Sequence, residues 1–383
     1  MFGRMMNNYF YGKSGKGDFR RDDLPETRWQ LFRDTLRTRL SGICRLSLLY
    51  SLIWLPAMII IFIFGSRFYT TMNDIALSEA TYPEYVQWAE SNEITATTEE
   101  EFYQSASYVA LTTRNYERYA QLNEGVSREE FLELAQSVPT LRKQTDERII
   151  IPMLVWLFIA IGITGPFTAG ISYVTRNWAR DEHAFIWSDF KDALKSNWKY
   201  SLVLSLITGF MPLAVYVGYD YYGSMSSQSL FMIVPQVLVA VVGVIWSFSI
   251  TYMHPLTVTY DLKLKDVMRN GIILGIARLP MSVGIRLLHC VPLLIAAAAV
   301  LLFNVDMMLG LVILGAYYCV IGFGLSRFIT ASYTNAVFDR FINTRIEGAK
   351  VNQGLREKDD DEETGDGADD GEPEEERQPD GKD

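Results

Sequence analysis

The chain has 383 residues, 49% of them hydrophobic, with three cysteines, three histidines and a formal charge of −10 at pH 7. Cys44, Cys290 and Cys319 have no paired spacing and His183, His254 and His289 have no His-Glu-x-x-His spacing, which excludes a disulfide framework and the commonest zinc-hydrolase motif. No Gly-x-Ser-x-Gly elbow occurs, and Gly12-Lys13-Ser14 lacks the earlier glycine and the strand of a phosphate loop, so neither an enzyme, a cofactor, a metal nor a nucleic-acid partner is expected.

Residues 1–45 are polar at first, and Met1 to Lys16 carry neither the apolar region nor the cleavage site of a signal peptide. The segment ends in Trp29, Phe32, Leu36 and Leu40, spaced 0, 3, 7 and 11, which is one stripe of a helix. Arg33 and Arg37 lie opposite. This pattern predicts an amphipathic helix flat in the membrane interface, rings in the acyl boundary and cations among phosphates. It either packs under a bundle or docks a partner. Asp34 sits three residues before Arg37, at ion-pair spacing.

The first apolar span runs from Leu46 to Phe64, about the 20 residues that cross the hydrocarbon. Residues 65–148 then form a polar insert with 15 acidic and 7 basic residues. Thr98-Glu99-Glu100-Glu101 and Ser127-Arg128-Glu129-Glu130 read as capping boxes, predicting helices near Glu99 to Leu122 and Arg128 to Gln136. Tyr82, Tyr85, Trp88, Tyr103, Tyr108, Tyr116 and Tyr119 supply either a small aromatic core or a surface that stacks on a sugar.

The second span runs from Ile149 to Val174, with Gly162, Gly165 and Gly170 allowing close packing. A basic stretch from Arg176 to Lys199 follows, holding Arg180, Asp181 and a second stripe, Trp187, Phe190, Leu194 and Trp198. Asp192 stands before Lys195 as Asp34 stands before Arg37. The third and fourth spans are Ser201–Tyr219 and Leu230–Tyr252, the fifth Val283–Phe303 and the sixth Met307–Leu325. Pro56, Pro152, Pro166, Pro212, Pro235 and Pro292 touch every span but the sixth, free backbone carbonyls and permit bends. In the fifth span Arg286 and His289 share a helical face. Arg286 either marks a functional site or extends to phosphates at the inner end of the span. Residues 149–342 thus hold spans two to six. Residues 343–383 form an acidic tail, with 15 acidic and 4 basic residues from Arg356 onward, too polar to order itself.

The phrase Phe32-Arg33-Asp34-Thr35-Leu36-Arg37 recurs as Phe190-Lys191-Asp192-Ala193-Leu194-Lys195 and, more loosely, as Leu264-Lys265-Asp266-Val267-Met268-Arg269. Each copy precedes two spans that close on Ser172-Tyr173, Thr251-Tyr252 or Ser332-Tyr333. The fold expected is therefore all-α and polytopic: six transmembrane helices as three repeats of an amphipathic helix plus a hairpin. Cations concentrate before span one, in 176–199 and in 263–278, while 220–229 and 304–306 have none. Both termini are accordingly expected in the cytoplasm and residues 65–148 outside.

The run from Gly165 to Arg176, the Arg180-Asp181-Glu182 cluster and Trp187-Ser188-Asp189-Phe190 resemble the YesL-like family of uncharacterised bacterial membrane proteins. The stretches Pro255 to Pro280 and Asn335-Ala336-Val337-Phe338 are similar as well. The insert and the acidic tail depart from the family pattern. The resemblance implies a bacterial cell membrane and a link to carbohydrate uptake, without catalytic residues. The function expected is a non-enzymatic accessory or regulator whose partners are the lipid bilayer and a sugar transporter complex. The alternative is a small-solute transporter or channel with a site between the hairpins. Candidate functional residues are Arg286 and His289 in the span, and Trp29, Phe32, Asp34, Arg180, Asp181, Trp187, Phe190 and Asp192 at the basic end.

Overall fold

A computed structural model describes residues 24–78, 82–106, 108, 115–116, 119–120, 125–131, 133–134, 145–226, 229–303 and 305–356. Gly12-Lys13-Ser14, part of the insert and the acidic run after 356 lie outside these residues. The described residues form helices and no strand: α1 (Arg28–Ser78), α2 (Tyr82–Ser91), α3 (Glu99–Tyr103), α4 (Ile151–Ala179), α5 (Ser188–Ser226), α6 (Ile233–Thr259), α7 (Leu264–Ala277), α8 (Leu279–Phe303), α9 (Met307–Tyr317) and α10 (Phe323–Phe341). A π-helical turn, Tyr318–Gly322, joins α9 to α10, and another, Asp146–Ile150, leads into α4. Six helical stretches are long and apolar enough to cross a membrane. The protein is an all-α, multi-pass membrane protein. Rows of exposed leucine, isoleucine and valine on these helices, such as Leu287, Leu294 and Leu301 of α8, suit acyl chains as solvent.

The central helix is α4, packed by α1, α5, α6 and α10. It reaches this position because it is lined with small residues, as its glycines suggested. A Cβ at Gly165 would lie 2.3 Å from the carbonyl oxygen of Ser201, so α4 and α5 touch backbone to backbone there. Gly324 holds the same relation to Ile43, binding α10 to α1. Threonine hydroxyls inside α4 bond their own helix, Thr164 to the Ile161 carbonyl at 2.7 Å and Thr168 to the Thr164 carbonyl at 2.9 Å, so the buried hydroxyls remain satisfied. Two apolar cores flank α10. One joins Ile43, Tyr50, Ile171, Trp178, Phe190 and Phe328; the other joins Leu204, Trp246, Leu256, Val267 and Phe338.

Two expected surface helices are not separate elements. The stripe from Trp29 to Leu40 is the start of α1, and that from Trp187 to Trp198 lies at and beyond the start of α5; each helix continues unbroken into its span. No proline intervenes between stripe and apolar run, and Gly42, which does, stays helical against the Trp178 ring, so the hydrogen-bond ladder continues. Only the third copy stands alone, as α7. There Arg278 leaves the helical region, and Pro280, which has no backbone donor to continue the ladder of α7, takes a place in the first turn of α8. The stripes also split. Trp29 and Trp187 are 69% and 64% exposed, while Phe190 is 3% exposed and Phe32, Leu36 and Leu194 pack on the same core.

In the insert, the box at Ser127 forms: its hydroxyl accepts from the Glu130 N–H at 3.2 Å, and Glu130 Oε2 accepts from the Ser127 N–H at 2.9 Å. Those bonds hold the Glu130 carboxyl below its usual range. Thr98 makes no such side-chain cap, and the helix after it ends at Tyr103, well short of Leu122. Tyr85, Phe102 and Tyr108 are buried together, with the Tyr85 and Phe102 rings stacked at 4.6 Å; this is a small aromatic core.

Beyond α10 the chain remains structured as far as Arg356, further than the expected disordered boundary at 343. Residues 346–356 fold back as a strap over the start of α1. The Arg356 N–H bonds the Pro25 carbonyl at 3.0 Å, and Arg180 bonds the Gln353 side chain at 2.6 Å.

Candidate functional site

Each transmembrane hairpin brings polar groups to one junction inside the bundle. From α8 come Arg286 and His289; from α10, Arg327 and Thr330; from α6, His254 and the Ser247 carbonyl; from α1 and α4, Tyr50 and Thr168. Arg286 and His289 sit seven and ten residues into α8, one helical turn apart, so both face the same neighbours. The Arg286 guanidinium donates to the Ser247 carbonyl of α6. This bond ties the side chain across to a neighbouring helix, in place of the expected extension to phosphates at the end of the span. His289 Nε2 lies 3.1 Å from the Ser326 carbonyl and 3.4 Å from the Thr330 hydroxyl. Arg327 lies over the Tyr50 ring at 5.7 Å, with Nη2 3.5 Å from its hydroxyl, and that hydroxyl meets Thr168 Oγ1 at 2.5 Å.

Arg327 stands beside Ser326 and one turn before Thr330 on α10, both of which meet His289, and His254 lies two turns beyond Ser247 on α6. Among the described residues none of Arg286, Arg327, His254 and His289 forms an ion pair with a carboxylate. Arg286 Nε and His254 Nδ1 are buried without a hydrogen-bond partner there, and His254 is 4% exposed. Arg286 and Arg327 therefore lie in an apolar setting without a counter-charge, which is costly unless something anionic completes the set, whereas an imidazole stays neutral there and needs none. Beside them the Tyr252 hydroxyl lies 2.8 Å from both the Ser282 and Tyr333 hydroxyls, joining two of the three repeat-closing tyrosines. Tyr173, the third, instead stacks with Arg176.

Arg327 and His254 were not among the expected site residues. The apolar run of the sixth span breaks at Ser326-Arg327, which reads as its end. The signal that the helix continues lies further on, in Phe328, Ile329, Ala331, Val337 and Phe338. His254 sits just past an apparent span end at Tyr252.

The remaining candidates lie apart from this junction, at the basic end. Trp29 stacks on Phe32 at 5.5 Å, and Phe32 on Phe328 at 5.2 Å. Phe190 packs where a Cβ at Gly170 would stand, 2.7 Å from the ring. Asp34 pairs with adjacent Arg33 at 3.4 Å, an exposed contact of little weight; among the described residues neither Asp34 with Arg37 nor Asp192 with Lys195 forms an ion pair. Arg180 reaches Glu182 at 3.6 Å, and Asp181 turns the chain with φ 56°. The same end holds a network the sequence did not signal. Asp339 accepts from Arg28, from Asn343 Nδ2 at 2.5 Å and from the Asn352 N–H at 3.2 Å. The Tyr260 hydroxyl donates to Asn343 Oδ1 at 2.7 Å; burial first, and then the Asp339 charge, push this phenol up to about 12. Among the described residues no group of three or more His, Cys, Asp or Glu side chains is placed to hold a metal.

The fold and junction define a multi-pass helical membrane protein with a cationic cluster between its hairpins. Residues 149–219 match a family described as "Protein of unknown function, DUF624". That segment spans α4 and most of α5, and it includes the run from Gly165 to Phe190 that carries the YesL-like resemblance. No curated protein and no solved structure matches the chain.

Proposed function

We propose that the protein is a non-enzymatic membrane protein that binds, and passes across the bilayer, a small anionic solute at the junction of its hairpins. The observation that carries this reading is that Arg286 and Arg327 lie inside the bundle without a paired carboxylate among the described residues, with the imidazoles of His289 and His254 on the two helices that the Arg286 bond joins. An anion seated there supplies the missing charge, and the bundle supplies the low dielectric that strengthens the attraction. Proteoliposomes loaded with labelled acetate, succinate or phosphate provide the test. At least one anion is expected to cross, and Arg327→Gln is expected to slow it by about tenfold, the loss of one charge-assisted contact. No flux of any of them, or equal flux in the variant, ends this reading.

A second reading, accessory work in a carbohydrate uptake complex, is favoured by the basic end. Trp29, Phe185 and Trp187 stand largely exposed there, beside Lys191 and Lys195, and exposed aromatics are common interface anchors. Loop charges support a cytoplasmic position for this end and for both termini, with residues 65–148 outside. In a variant lacking the native cysteines, Trp187→Cys is expected to react only from the cytoplasmic side and to crosslink to an uptake component, while Gln121→Cys reacts only from outside. Labelling of both from one side refutes the orientation; crosslinks to no uptake component refute the docking.

A further inference from the structure

A cavity of about 530 Å³ opens at the basic end, between the link from α6 to α7, α7 itself, the close of α10 and the turn after it, away from the junction just described. Arg278 and Arg345 line it together with Tyr260, Ile273, Phe341 and Ile346. Among the described residues no acidic one contributes to the lining. Arg278 stacks on the Phe341 ring at 5.3 Å, and its Nε is buried without a partner among the described residues. The stacking holds the guanidinium in place while leaving a donor unused. On the other side, the apolar wall continues onto a lipid-facing surface: Ile273, Ile276, Leu279 and Met281 are all exposed. Two cations at one end and an apolar track at the other match an amphiphile with an anionic head and hydrocarbon tails. The volume suits a headgroup with its glycerol.

We infer that this cavity binds an anionic phospholipid, with the phosphate held between Arg278 and Arg345 and the acyl chains laid along Ile273, Ile276 and Leu279. The site differs from general attraction of a basic surface to an acidic leaflet. It takes one lipid, and it depends on these two arginines and not on Lys191 and Lys195, which are exposed on α5. It is also independent of what the intramembrane junction carries.

The test is native mass spectrometry of the full-length protein in mild detergent, titrated with phosphatidylglycerol or phosphatidylcholine. One phosphatidylglycerol is expected to be retained at least tenfold more readily than phosphatidylcholine. Arg345→Gln, at an exposed rim position, should weaken retention roughly fivefold, and with Arg278→Gln roughly 25-fold, while Lys191→Gln with Lys195→Gln leaves it unchanged. Inorganic phosphate at millimolar concentration should not displace the lipid. Equal retention of the two lipids, or retention unaffected by Arg345→Gln, overturns the site. Loss equal in the lysine variant reduces it to surface attraction, and displacement by free phosphate reassigns it to a soluble anion.

Discussion

Gly165→Leu is expected to leave little monodisperse protein after detergent extraction, with the surviving fraction melting on the order of 10 °C lower. At this position α4 and α5 are in backbone contact. Even a methyl group would meet the Ser201 carbonyl oxygen at 2.3 Å and the Leu202 Cα at 2.9 Å. Backbone atoms inside a continuous helix cannot rotate aside as a side chain does, so the helices must separate. Overpacking of a tight core costs about 1–3 kcal/mol where side chains can adjust. The cost here lies at or above the upper end, because this is the most extensive helix contact of the bundle. It is also the contact that the DUF624 match spans. Gly284 in α8 gives the opposite sign: nothing lies within 4 Å of an added Cβ. Gly284→Ala should stabilise the helix by about 0.5–1 kcal/mol through reduced chain entropy. Fluorescence-detected size exclusion and thermal melts of the two variants make the comparison. Equal behaviour would show that the close approach at Gly165 does not hold the bundle together.

The glycines of α4 were legible because close packing of membrane helices requires small residues and the sequence shows them directly. The six spans were legible for a similar reason, since crossing hydrocarbon demands an uninterrupted apolar run. What the sequence concealed was where helices stop. Arg33, Arg37, Lys191 and Lys195 mark a change of solvent, and a change of solvent resembles the end of an element. The backbone responds to hydrogen bonding instead, and with no stop between Trp29 and the apolar run, α1 begins at Arg28 and includes the charged turn. The junction was half legible. Arg286 and His289 stand out as ionisable groups within an apolar run. Arg327 and His254 lie at apparent span ends and join them only through packing of α6, α8 and α10, which no local pattern encodes. The Arg28–Asp339 pair, 311 residues apart in sequence, is farther still from any local signal.

That pair leads to a second large effect. Asp339→Ala is expected to destabilise the protein by about 2–3 kcal/mol and to release the strap at 346–356. Asp339 is 11% exposed and accepts from three donors on separate stretches of chain: Arg28 at the start of α1, Asn343 just after α10, and the Asn352 N–H in the strap. Removing the carboxylate leaves Arg28 without its counter-charge and Asn343 without the acceptor that orients it toward Tyr260. The lower part of the range for a broken buried pair applies, since Arg28 is 27% exposed and water recovers some of the loss. Asp339→Asn preserves the shape and one acceptor oxygen but turns an amino group toward a donor, so about half the effect remains. Hydrogen exchange gives the local readout. The Asn352 amide should be protected in the native protein and exchange at least tenfold faster in Asp339→Ala, whereas amides in the middle of α4 should be unchanged. If the strap stays protected, Gln353 with Arg180 and Arg356 with Pro25 hold it without Asp339, and the carboxylate serves only to anchor α1 to α10.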